Sequence, residues 1–221
     1  MRRAAAVLLL LCLGACAPST PTVVTLGDSV PAGAACACRP FPQLYAAAQH
    51  ARNVNLARSG ATAADVLSQV DGERPVLTSA TEVIIMIGAN DMAGDFRQPA
   101  RYATVAAGVR DDVASTVAAI ERIHRVRVVL LGYWNVVLDG QVAEKQYGTA
   151  AVRDSVAATA AVNDALRAAA QRTGAVYVPT GAAFHGPDGT RDPTGLLAAD
   201  GDHPNAAGQA AIAALIPPLP S

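Results

Sequence analysis

Lysine is almost missing from this chain of 221 residues: Lys145 is the single one, every other basic residue is arginine, and 17 basic residues face 18 acidic ones. That balance excludes the positive field a nucleic-acid-binding surface needs. The scarcity of lysine beside abundant alanine reads as GC-rich coding bias. The apolar run from Ala4 to Leu13 is too short to cross a bilayer, which takes about 20 residues. Internal repeats, low-complexity stretches and a separate carbohydrate-binding module are also missing. Cysteine is limited to Cys12, Cys16, Cys36 and Cys38, too few for a disulfide-built scaffold.

The N-terminus reads as a processing segment. Arg2 and Arg3 precede the apolar run, as in an export signal, and Leu13-Gly14-Ala15-Cys16 resembles a bacterial lipobox. In that reading residues 1–15 are removed, Cys16 carries a diacylglycerol, and residues 16–21 tether the domain to the outer face of a membrane. Two acyl chains give a stable anchor where one does not. The alternative is an ordinary secretory signal, Cys16 being incidental and the protein secreted. Cleavage before Cys16 leaves 206 residues with a net charge of −3, enough for one domain with a substantial core over residues 22–221. Cys36 and Cys38 remain. Export makes a bond between them possible, but a Cys-x-Cys ring is tight. A strained disulfide stiffening that loop and a pair of free thiols both stand, and no partner ligands lie nearby for a metal.

Short β-branched runs alternate with alanine-rich helical segments, the pattern of a parallel sheet covered on both faces by helices. Five strands are expected, at Val23–Leu26, Asn53–Leu56, Glu82–Ile87, Arg127–Leu131 and Ala175–Val178. The third and fourth are the most apolar, as strands buried on both faces should be. Helices are expected over Pro42–Ala51, Ala63–Val70, Tyr102–His124, Ala150–Arg172 and Asn205–Leu215, with Gly174 as a C-cap. His50 and His124 end two of these, where a cation suits the helix dipole.

Two stretches carry the chemistry. Gly27-Asp28-Ser29 follows the first strand, and Asp200-Gly201-Asp202-His203-Pro204 lies near the C-terminus. A serine hydroxyl needs a base within hydrogen-bond reach and a third group to orient that base. The Asp200–His203 spacing lets a turn bring the carboxylate to one imidazole nitrogen and leave the other for Ser29. Gly60 closes the second strand and Asn90 the third. A glycine lets a backbone N–H approach a reacting group, and an asparagine amide is a neutral donor to developing negative charge. Taken singly, each of these residues has a plainer use as a turn former, N-cap or loop residue. The ordered set of four is what points to catalysis. Gly-x-Ser-x-Gly, the sharp nucleophile elbow, is absent, which disfavours that class of hydrolase.

These blocks, Gly27-Asp28-Ser29 with Gly33, Gly60, Gly88-Ala89-Asn90-Asp91, and Asp200 through Pro204, resemble those of the SGNH hydrolases, also called GDSL esterases and lipases. Val30 stands where that name expects leucine. The resemblance implies a three-layer α/β/α sandwich with a flavodoxin-like five-stranded parallel sheet, Ser29 as nucleophile, His203 as base and Asp200 as its partner. It also implies an oxyanion hole of Ser29 N–H, Gly60 N–H and the Asn90 side chain. Asp202 is a rival carboxylate beside His203, and the family spacing favours Asp200. No cofactor or metal is called for, and a monomer is expected.

The family hydrolyses carboxylic esters through an acyl-serine, with a lipid, a glycan or a small molecule as the partner substrate. Few aromatic residues and no carbohydrate module point to short-chain acyl or lipid-like esters; a carbohydrate O-acetyl esterase is the alternative. A non-enzymatic reading is a metal- or ligand-binding surface lipoprotein using His185, Asp188, Asp192, Asp200, Asp202 and His203, whose spacing fits no known ion loop. The stretch Gly132–Thr149 shows no clear structure and is long for a compact domain. Tyr133 and Trp134 on it are candidates for the substrate wall, or Trp134 packs beneath the loop.

Overall fold

A computed structural model of the protein describes residues 20–135 and 137–220. The export signal, Cys12 and the lipobox with Cys16 lie outside the described residues, as does most of the expected tether. The strands are β1 Thr22–Gly27, β2 Arg52–Asn55, β3 Glu82–Met86, β4 Arg127–Leu131 and β5 Val176–Val178. They form one five-stranded sheet in the order β2-β1-β3-β4-β5, parallel at every pairing. The helices of the described residues are α1 Ser29–Ala32, α2 Phe41–Ala48, α3 Ala63–Gln69, α4 Arg74–Leu77, α5 Ala89–Ala93, α6 Pro99–Ile123, α7 Gly140–Tyr147, α8 Thr149–Thr173, α9 Gly181–His185 and α10 Ala206–Leu215.

This is the expected α/β/α architecture. Helices α2 and α10 pack together on one face, where α2 meets β1 and β2, while α3, α6 and α8 form the other layer. Right-handed crossovers require that division, because the chain moves outward from β1 to β2 and then reverses across the sheet to β3. β1 and β3 are buried along their whole length, as central strands between two helical layers must be. The reversal opens a crevice between β1 and β3 at their C-terminal ends, where ligands bind in open sheets of this kind.

One expectation is corrected. The stretch Gly132–Thr149 is not structureless, for α7 occupies Gly140–Tyr147. Its polar sequence hides it, because Ala143 is the one buried residue it contributes. The helix starts where the buried Asp139 side chain accepts the Gly140 N–H at 2.9 Å, and it then packs on α8. The loop before it is tied down as well. Tyr133 and α8 residue Asn163 exchange two hydrogen bonds of 2.8 Å. The buried Asn135 amide donates to Leu138 O at 2.7 Å and accepts from Ser155 Oγ at 2.6 Å.

Two polar clamps hold the C-terminal part of the chain to the rest of the domain. Gln209 on α10 is fully buried; its Oε1 accepts from Phe41 N at 2.8 Å and its Nε2 donates to Val30 O at 3.0 Å. One side chain therefore joins the last helix to α1 and α2. At the basal edge, where the strands begin, Arg127 is ion-paired with the fully buried Glu82 and donates to Pro217 O at 3.1 Å. Burial pushes the Glu82 carboxyl above its ordinary pKa, against the pull of Tyr45 and Arg127. The Tyr45 hydroxyl donates to the same Pro217 O at 2.8 Å.

Gln209→Ala leaves the buried Phe41 N–H without its acceptor, which costs about 1–3 kcal/mol, and takes one of two donors from Val30 O, which keeps the Gly33 N–H at 3.1 Å. Urea unfolding should show a loss of about 1–3 kcal/mol; an unchanged midpoint would remove the clamp from the account.

Candidate active site

The Ser29 hydroxyl is positioned by what precedes it. Gly27 ends β1 at φ 149°, and a Cβ there would lie 2.2 Å from Met86 O, so only glycine lets the strand end press against β3. The Asp28 N–H donates to that same Met86 O at 3.2 Å. Asp28 then caps α1, its Oδ1 accepting from Val30 N at 3.0 Å, and Ser29 opens the helix just past the strand end.

The C-terminal segment meets it from across the chain. His203 Nε2 lies 2.9 Å from Ser29 Oγ, over a separation of 174 residues. Its Nδ1 lies 2.8 Å from Asp200 Oδ2. Asp200 Oδ1 also accepts from the backbone N–H groups of Asp202 and His203, at 3.1 and 3.0 Å, so the turn orients its own carboxylate. Burial raises the Asp200 carboxyl, and these hydrogen bonds outweigh it to hold the group below its ordinary pKa. Asp202 Oδ2 is farther from Nδ1, at 3.6 Å. Burial, then the Asp200 and Asp28 charges, lift Asp202 to about 7 against the attraction of His203. An imidazole held between a charged carboxylate and a hydroxyl can take the hydroxyl proton and be stabilised as the cation.

The other expected donors lie on the turns that follow β1, β2 and β3. The Ser29 and Gly60 N–H groups have no hydrogen-bond partner among the described residues. Arg58 N–H donates to Gly27 O at 2.9 Å, which ties the Gly60 turn to the end of β1. Asn90 Nδ2 donates to Ala61 O at 2.9 Å, which fixes the amide orientation and leaves its second hydrogen available. Asp91 secures the turn from below, both its oxygens accepting from Ala63 N at 3.2 and 3.0 Å. Beside Gly60 a cleft of about 300 Å³ is lined by Arg58, Ser59, Ala61, Asp65 and Ser68.

The expected wall residue Tyr133 is corrected. It is 1% exposed, and its hydroxyl donates to Asp28 Oδ2 beneath the Ser29 turn, so it cannot face a substrate. The bonds of its backbone to Asn163 turn the ring inward. Trp134 is nearly buried and stacks on Phe184 with ring centroids 4.0 Å apart. Its remaining surface lines a cleft of about 500 Å³ with Val156, Ala182, His185 and Pro187. Burial raises the Asp28 carboxyl to about 6, and the Tyr133 and Val30 hydrogen bonds oppose the shift.

Cys36 and Cys38 are joined as a disulfide, with Cα atoms 5.0 Å apart, in the loop after α1. The residues of the metal-binding reading disperse: His185 Nε2 lies 3.0 Å from Asp139 Oδ2, Asp192 accepts from Thr194 and Gln141, and Asp188 accepts from Thr190. Among the described residues no three His, Cys, Asp or Glu side chains gather as a metal would require. Asn163 and Gln209 had no part in the expected site, Asp28 had no role there beyond its place in the motif, and Tyr133 was expected only as a wall. The available signal was a polar residue inside an alanine-rich helix, as at Asn163 and Gln209.

The pattern that defines the GDSL-like lipase/acylhydrolase family matches residues 25–211. Among solved structures, phospholipase A1 from Streptomyces albidoflavus NA297 is similar at 24% identity over 90% of this chain and 100% of its own, with a TM-score of 0.68. An extracellular lipase from Streptomyces rimosus gives 23% identity, coverage of 89% and 100%, and a TM-score of 0.63. A catalytic mutant of an acetylxylan esterase from Geobacillus stearothermophilus gives 19% identity, coverage of 89% and 92%, and a TM-score of 0.65. No curated protein matches the chain.

The Asp28 environment makes stability depend on pH in a defined direction. Its carboxyl rises from 3.8 to about 6 on folding, so between those values the folded chain holds a proton that the unfolded chain has lost. The contribution is complete below about pH 4 and disappears as pH rises through 6, an overall change of about 3 kcal/mol. From pH 4 to pH 7 the parent should lose about 3 kcal/mol more than Asp28→Asn in urea titrations. Parallel losses would mean that Asp28 stays ionised.

Proposed function

The chain belongs to the GDSL-like lipase/acylhydrolase family, and from that premise we propose that Ser29, His203 and Asp200 are the catalytic triad of a serine ester hydrolase. The supporting observation is the pair of contacts at His203, 2.9 Å to Ser29 Oγ and 2.8 Å to Asp200. Ser29 Oγ attacks the ester carbonyl as His203 Nε2 takes its proton, and Asp200 holds the Nδ1–H. The oxyanion is stabilised by the N–H groups of Ser29 and Gly60 and by Asn90 Nδ2. His203 then protonates the leaving alcohol. Water, activated by the same imidazole, releases the acid and restores Ser29.

The protein is exported and anchored through a lipid on Cys16, acting as a monomer. Its substrates are short-chain acyl or lipid-like esters. A second reading, an acetyl ester of a carbohydrate, is favoured by the polar lining of the cleft beside Gly60, with Arg58, Ser59, Asp65 and Ser68 suited to hydroxyl groups.

Nitrophenyl esters from acetyl to palmitoyl test both points. Ser29→Ala should reduce turnover to background. Asn90→Ala should remain folded and slow kcat by about 10²–10³-fold, the cost of one oxyanion donor. Full rate in either variant would sink the assignment, and the chain-length optimum separates an acetyl site from a lipid groove.

A further inference from the structure

The sheet has a basal edge, where the strands begin, and a distal edge, where Ser29 lies. The chain comes into the domain at the basal edge and is fastened there. Pro21 O accepts from Arg52 N at 2.8 Å, Thr22 O accepts from Thr81 N at 2.8 Å, and Thr22 N donates to Thr81 Oγ1 at 3.0 Å. Cys16 precedes Thr22 by six residues, a covalent reach of at most about 20 Å. A membrane holding a lipid on Cys16 therefore lies near the basal edge, whatever path the tether takes.

The basal edge carries a cluster of exposed cations. Exposed Arg52, Arg122 and Arg125 stand at the basal edge with exposed His50 and His124. Arg127 is there too, already paired with buried Glu82. Glu121 is the exposed acid among them, and it lines a recess of about 690 Å³ together with Arg122, Arg125 and Arg127. At the distal edge Asp28 is fully buried, Asp91 and Asp202 are half-buried, and exposed Asp200 is matched by exposed Arg58 beside Gly60. Arginines facing a negatively charged leaflet are attracted within about a Debye length.

We propose that the basal face, through Arg52, Arg122 and Arg125, rests on the anionic phospholipid headgroups of the membrane that holds Cys16, with the Ser29 site turned away from that membrane. The inference rests on the lipid-anchor reading above and adds substrate access to it. β1 has six residues, and at about 3.3 Å per residue the serine stands roughly 20 Å beyond the basal edge. The esters within reach are those of soluble or wall-borne molecules facing the membrane, not the acyl esters of the lipids beneath.

Trp134 reports the orientation, because it is the single tryptophan and follows the distal end of β4. The full lipidated chain is placed in vesicles of phosphatidylethanolamine and phosphatidylglycerol carrying a dansyl headgroup acceptor or brominated acyl chains. Bromine should leave Trp134 emission unquenched, and energy transfer to dansyl should be weak. The combined variant Arg52→Glu, Arg122→Glu, Arg125→Glu should at least double that transfer, as should replacing phosphatidylglycerol with phosphatidylcholine. Turnover of nitrophenyl acetate should stay unchanged in the variant, which shows that it is folded. Quenching of Trp134 by bromine in the parent would overturn the orientation, and transfer indifferent to both changes would overturn the role of the arginines. Mass analysis of Cys16 separates the premise: an unlipidated cysteine removes the anchor reading, and this orientation with it, while leaving the triad untouched.

Discussion

The site depends on one closure, the docking of α10 against the turn that carries Ser29. His203 and Asp200 sit on an irregular segment, and neither can reach the serine unless that segment is held. The fully buried Gln209 does this by bonding to Val30 O and Phe41 N, the carbonyl being one residue from Ser29. Asn205 supports the same junction, its Oδ1 capping α10 through Ala207 and Gly208 while its Nδ2 donates to Gly195 O and Leu197 O at 3.0 and 2.9 Å. A buried amide that satisfies a donor and an acceptor at once fixes register as well as distance, since an apolar side chain of the same size would tolerate sliding.

Beneath the serine the same strategy appears with a carboxyl group. Asp28 holds α1 with one oxygen and accepts the Tyr133 hydroxyl with the other, and Tyr133 is itself held by Asn163. The floor of the site is thus connected through β4 to the middle of α8. Its polar groups are desolvated and paired, the condition under which fixed dipoles act on a reacting charge without reorganising. The wall after β4 is likewise fastened through Asn135 and Ser155.

Much of this architecture is legible in the sequence. Apolar runs such as Val83–Ile87 announce buried strands, alanine-rich stretches announce the helices between them, and the spacing from Asp200 to His203 announces a turn that returns on itself. What stayed hidden has a physical cause in each case. Helix α7 buries little, so periodicity has nothing to report. Tyr133 follows a strand in a stretch that reads as a surface loop, and only tertiary contacts with Asn163 and Asp28 turn it inward. Gln209 looks like a solvent-facing residue of a small-residue helix, because its partners are backbone groups distant in the chain. Glu82 looks like a strand end until Arg127 and Tyr45 close over it.

The position of the closure along the chain has a kinetic consequence. Contacts between distant residues form late, since loop entropy must be met before they reward it. A chain growing from its N-terminus can assemble β1 through β4 with α6 while Asp200, His203 and Gln209 are still unmade. The serine turn can therefore exist, capped by Asp28, for as long as the last segment takes to arrive. During that interval the contact between His203 and Ser29 does not exist, and the geometry on which the proposed triad rests appears only with the final residues.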